Sequence, residues 1–278
     1  MHFGTQGTAC LTLDGKIKWK TNELVYRPVH GNGGSPVLVD DKLVIICDGA
    51  AKDFVVALNK ATGKIVWKTN RTVKQGRMFA FSTPLLIHVE GQQQLVCAGA
   101  GAVVAYRPND GKAIWQVDYP EGYSVIPRPV YGHGLVYICT GYGTPNLLAI
   151  RPAGQGNVTA THVKWTSRKS IPHSASPLLV EDELYFVSDR GTATCVDAQT
   201  GRVHWTQRLG GGFSTSPVYA DDKIYFQNEA GTTTVIAPGT AYEELGRNDL
   251  NARTLASFAI AESALFVRTQ TELFRIED

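Results

Sequence analysis

Short apolar runs alternate with polar turns along this chain in a phrase that returns from end to end. Its clearest copy is Gly191–Trp205, GTATCVDAQTGRVHW. Thr192–Asp197 is rich in β-formers, a turn ending in Gly201 follows, and Arg202–Trp205 begins a second strand that closes on a large aromatic residue. The same text stands at Gly7–Trp19, Phe54–Trp67, Ala102–Trp115 and, with an inserted turn, Leu147–Trp165. Each copy ends on one of the 5 tryptophans, Trp19, Trp67, Trp115, Trp165 and Trp205. They recur about every 40–50 residues, a spacing that marks a repeat architecture.

A second phrase lies between the tryptophans. Ser35-Pro36, Ser82-Thr83-Pro84, Arg128-Pro129, Ser176-Pro177 and Ser216-Pro217 each open an apolar run, a polar turn such as Asp40-Asp41 or His133-Gly134, and a second apolar run. That is a hairpin. Hairpin and Trp hairpin together make four antiparallel strands per unit, the size of a β-propeller blade. The pattern therefore predicts an all-β propeller of four-stranded blades, with residues 1–278 as a single domain.

Complete units are expected at about 35–68, 82–116, 128–166 and 176–206. A fifth, at about 216–245, has lost its Trp, with Leu245 at the place counted for it, and the last, 257–278, supplies three strands. The chain opens on the third and fourth strands of a unit. Either the strand Lys16–Lys20 completes the last blade and makes six, or the chain is an arc of a larger ring. The start, Met1-His2-Phe3-Gly4, carries no leader pattern, so a signal sequence is expected upstream.

Composition narrows the function. Apolar residues at 43%, charged residues at 19% and 28 glycines describe a turn-rich β protein. The 27 Lys and Arg against 25 Asp and Glu leave +2, too little to argue for nucleic acid or a membrane surface. No apolar run approaches the roughly 18 residues of a spanning helix. Cys47, Cys97 and Cys139 end second strands and Cys10 and Cys195 sit in third strands, which predicts structural thiols and no metal site. The sequons at Asn70 and Asn157 are read as chance matches.

The text A-x-D-x-x-T-G-x-x-x-W, matched by Ala57–Trp67 and Val196–Trp205, resembles the tryptophan-docking motif of pyrroloquinoline-quinone-type propeller repeats. The resemblance implies that each Trp docks on the neighbouring blade. The family includes quinone-dependent dehydrogenases and the non-enzymatic propeller lipoprotein of bacterial outer-membrane assembly. The quinone enzymes would bring a vicinal Cys pair, a catalytic Asp and calcium ligands, and no adjacent cysteines occur here. No cofactor is expected, and catalytic residues are assigned to none of these positions.

Function is sought instead in the segments that cross from each Trp strand to the next Ser-Pro strand. They carry Arg27, His30, Arg77, Phe79, Tyr123, Arg128, His173, Phe213 and Arg253 and almost no acids. A ring of cations with aromatic neighbours at a channel mouth suits a protein partner or an anionic ligand. The competing reading has these side chains bracing loops or pairing with Asp48, Asp53, Asp189 and Glu229. The sequence thus points to a non-catalytic binding or assembly scaffold, periplasmic or otherwise outside the cytoplasm. Its rivals are a quinone-dependent oxidoreductase and a sensor domain of a longer chain such as a receptor kinase.

Overall fold

The structure, a computed structural model, describes residues 1–50, 52–73 and 76–277. Its strands form sheets in chain order: a hairpin of Thr8–Leu11 and Ile17–Thr21, five blades at 37–70, 85–118, 130–167, 178–208 and 218–249, and a three-stranded sheet at 259–276. Within each four-stranded blade, consecutive strands are neighbours and pair antiparallel. The first hairpin of each blade turns on two residues, and pairs such as His133-Gly134 and Asp221-Asp222 both hold positive φ. That is the turn whose twist matches the strands it joins.

The apolar core is divided into seams, each shared by two adjacent blades. In the strand Phe54–Asn59, Phe54, Val56 and Leu58 face the N-terminal hairpin while Val55 and Ala57 face the second blade. A strand buried on both sides reads as a continuous apolar run, which is why these segments lack polar alternation. Further seams join the second and third, third and fourth, and fourth and fifth blades.

Tryptophan holds each seam. Trp19, Trp67, Trp165 and Trp205 donate their indole N–H to the carbonyls of Lys60, Pro108, Ala198 and Gly239 on the following blade, at 2.8 to 3.1 Å. The glycine of the repeated turn explains the flat contact. A Cβ at Gly63, Gly111 or Gly201 would stand 2.4, 2.4 or 2.7 Å from the ring of Trp19, Trp67 or Trp165. These glycines also hold φ of +73, +68 and +73, which favours glycine a second time.

Trp115 differs. Its indole N–H donates to Gln94 Oε1 at 2.7 Å in its own blade, and Gln94 Nε2 donates in turn to Pro152 O at 3.3 Å on the third blade. The turn inserted in that third blade runs Gly156–Asn157 parallel to the Trp115 strand as a fifth strand, followed by the helical turn Thr159–His162. The indole is fully buried.

A bulge precedes every Trp. Trp67 lies opposite Ala57 but Ile65 opposite Leu58, and Trp205 lies opposite Cys195 but Val203 opposite Val196. The extra residue changes the parity of the strand and increases its twist. In the fifth blade the same register places Gly246 opposite Val235, so Gly246 and not Leu245 occupies the lost Trp position. Leu245 is the bulged residue and is exposed.

Among the described residues the strand at Lys16–Lys20 does not complete the last sheet. Ile17–Thr21 pairs with Thr8–Leu11, and the 259–276 sheet keeps three strands.

The Ser-Pro phrase forms a second seam bond. The backbone N–H of Ser35, Arg128, Ser176 and Ser216 donates to the hydroxyl of Thr83, Ser176, Ser216 and Ser257 of the next sheet, each at 2.9 Å. Between the second and third blades the Ser82 hydroxyl donates to Pro127 O, also at 2.9 Å. Proline holds the preceding residue extended and has no N–H of its own to satisfy here. Cys47, Cys97, Cys139 and Cys195 are buried free thiols and Cys10 is partly exposed, as residues of packed strands.

Removing a seam indole should be costly. Trp67→Ala is expected to destabilise by about 3–5 kcal/mol, and Gly111→Ala, whose methyl meets the same ring, should also lower the melting temperature clearly. Leu245→Ala should stay within about 0.5 kcal/mol of the parent. Calorimetric melting curves of the three variants check the assignment.

Candidate functional site

In an antiparallel blade the crossing segments and the loops between second and third strands emerge at the same end, and the hairpin turns emerge at the other. On the loop end, side chains from four consecutive blades meet in one row. His30 touches Phe79 with ring centroids 5.6 Å apart, Phe79 touches Tyr123 at 5.7 Å, Tyr123 touches Tyr142 at 6.3 Å, and Tyr142 stacks on His173 at 4.5 Å. The guanidinium of Arg77 lies 4.6 Å from the Tyr123 ring centre and donates to the Tyr123 hydroxyl. Such a cation over an aromatic face is attracted by the ring quadrupole.

Backbone contacts hold the row. Tyr123 and Tyr142 exchange N–H to O bonds at 3.1 and 2.8 Å, Ser124 N–H donates to Phe79 O at 2.8 Å, and Phe81 N–H to Val125 O at 2.7 Å. The loops press together because Gly141 and Gly143 flank Tyr142: a Cβ there would stand 2.5 Å from Tyr123 O and 2.2 Å from Glu121 O. At the far end Asp189 accepts from the backbone N–H of His173 and Ser174 at 3.1 and 3.3 Å and contacts His173 Nδ1 with its other oxygen. His30 and Ser124 hold φ of 66° and 50°, a conformation that costs energy in non-glycine residues and persists where its surroundings fix it.

The structure thus brings together His30, Arg77, Phe79, Tyr123 and His173. Arg27 and Arg128 are exposed on the same end and make no ring contact with the row. Phe213 is 2% exposed in the seam of the fourth and fifth blades, a core residue and not part of the mouth. Arg253 stands apart, with Arg268 beside a separate cavity of about 330 Å³ before the last sheet. Gln75, which opens the second crossing segment in the sequence, lies outside the described residues. Tyr142 was missed because it sits in a loop within a blade, although an aromatic between two glycines is a local signal for a packed loop.

Sequence reasoning also missed Arg71. It follows the first blade and forms a buried pair with Asp48, Nε to Oδ1 at 3.4 Å, with side chains 1% and 2% exposed. Its other nitrogens donate to Cys97 O at 3.4 Å and Ala102 O at 3.1 Å on the second blade. Gly99 leaves the room: a Cβ there would lie 2.2 Å from Arg71 and 2.6 Å from Asp48. Neither Asp48 oxygen accepts a hydrogen bond among the described residues. Burial pushes the Asp48 carboxyl up to about 6, and the Arg71 charge only partly opposes this.

A family model described as outer membrane protein assembly factor BamB matches residues 4–197 and 162–272. The chain belongs to the BamB family. Among solved structures it is similar to the crystal structure of BamB from Moraxella catarrhalis, at 14% identity and a TM-score of 0.70, over 92% of this chain and 73% of that one. At that identity the likeness carries the propeller fold alone. No curated protein sequence matches this BamB-family chain.

The quinone enzymes that share the repeat need a planar platform and calcium ligands, and no such site stands out among the described residues. The five indoles are committed to seam bonds. The carboxylates of the loop end are engaged as well, Asp48 with Arg71, Asp53 with Gly49 N–H and Asp189 with His173. Among the described residues no three His, Cys, Asp or Glu side chains group as metal ligands, and no helix is long and apolar enough to cross a membrane.

The buried pair should make stability depend on pH. Between the usual carboxylate value of 3.8 and about 6, the folded chain keeps an Asp48 proton that the unfolded chain has released. Stability from this group therefore falls as pH rises through that window and levels off above it. Melting temperatures measured from pH 4 to 7 should show this fall in the parent relative to Asp48→Asn, which has no proton to keep.

Proposed function

We propose that this BamB-family chain is a non-catalytic scaffold of one propeller domain, working outside the cytoplasm, that takes a protein partner on its loop end. The observation that carries the reading is the continuous row from His30 to His173, with Arg77 upon it, at the end where Arg27 and Arg128 are exposed. Aromatic residues and arginine are the side chains that dominate the energy of protein interfaces. The family description supports outer-membrane protein assembly as the setting and an assembly partner as the occupant. Preorganised loops add to this, because little conformational freedom is left to lose on binding.

A photo-crosslinking amino acid placed singly at His30 or Arg128 should capture a discrete partner in cells, while the same probe at Glu90 or Asp222, in the hairpin turns of the opposite end, should not. Equal capture from both ends would overturn the assignment. Dye reduction by the purified protein after incubation with the quinone and calcium would overturn the non-catalytic reading.

A further inference from the structure

The row has a pitch and a charge, and both constrain what lies on it. Consecutive rings are already in contact, with centroids 4.5 to 6.3 Å apart. Inserting a planar ligand between two rings needs about 7 Å, twice the van der Waals contact distance. A ligand therefore lies across the row and not between its members. The centres at Phe79, Tyr123 and Tyr142 step by 5.7 and 6.3 Å. Side chains on one side of an extended peptide step by about 6.6 Å, two residues of strand rise.

Charge is concentrated at the middle of the row, where Arg77 covers Tyr123. Asp189 contacts His173, and Glu121 accepts from the Thr144 hydroxyl at 3.1 Å. The ends of the row, His30 with Phe79 and Tyr142 with His173, are aromatic pairs.

Resting on the scaffold reading above, we infer that the row docks an extended segment of the partner that presents a carboxylate between two aromatic side chains on one side. The carboxylate meets Arg77 over Tyr123 through charge-assisted hydrogen bonds, and the aromatic side chains meet the two ring pairs that flank it. The recognised pattern is aromatic-x-acid-x-aromatic.

The test uses the purified chain and a dye-labelled peptide Ser-Phe-Ser-Glu-Ser-Phe-Ser, followed by fluorescence anisotropy. Binding is expected to weaken with added salt. It should also weaken about tenfold with Lys in place of Glu, with Ala in place of both Phe, or with the peptide intact and Arg77→Gln or Phe79→Ala in the protein. Melting temperatures of both variants near the parent's would assign the loss to the site, and Lys223→Gln at the opposite end should bind like the parent. Equal affinity for the Lys peptide, indifference to Arg77→Gln, or displacement by polygalacturonate as readily as by unlabelled peptide would overturn the inference. Crosslinks from His30 and Arg128 without peptide binding would sink this pattern and leave the scaffold; peptide binding without those crosslinks would do the reverse.

Discussion

An indole lying flat on the glycine of the next blade, with its N–H on that blade's turn, is the contact on which the rest of the molecule depends. No blade has a core of its own. Apolar side chains leave both faces of the middle strands, and each face is covered only when a neighbour is present. The indole contributes large buried area together with one directional bond, so it fixes distance and angle at once. Three consecutive seams between the first and fourth blades set the loops of the His30–His173 row relative to one another. The geometry of the functional end is thus inherited from bonds at the opposite side of the strands.

Much of this was legible because a repeat writes its contacts many times. The Trp and Thr-Gly positions named both partners of the seam, and Ser-Pro marked the inner strand without revealing that its hydroxyl serves the previous blade. Counting failed where local geometry intervened. The turn between Ile236 and Glu244 holds one residue more than the turn between Val196 and Val203, which moves the equivalent position to Gly246, and spacing alone could not register a one-residue slip. Gln94 carries no local signature, since its role arises only from an insertion near Pro152 in another unit.

The site was legible as a choice of loops and much less as a choice of side chains. Whether an aromatic residue in a crossing segment turns inward or outward depends on packing: Phe79 joins the row while Phe213 fills a seam. Tyr142 reached the row from the other class of loop. Arg71 and Asp48 lie in loops separated by a full hairpin, and only the folded blade brings them together. That pair also places an ionic contact inside an otherwise apolar seam. Replacing such a pair by packed apolar groups often leaves stability unchanged or higher, whereas removing one partner alone is costly.

The hydroxyl belt has a polarity. At four joints the N–H before a proline points to the following sheet and the hydroxyl there looks back, while at the joint of the second and third blades the Ser82 hydroxyl itself points forward. Contacts of this head-to-tail kind carry no instruction about how many units take part, because every unit meets its successor as it is met by its predecessor. The number of units in such an assembly is decided by the small rotation at each joint. A whole unit can be gained or lost with the bonding rule intact, whereas a segment inserted within a unit, as at Gly156–Asn157, must be absorbed by its neighbour.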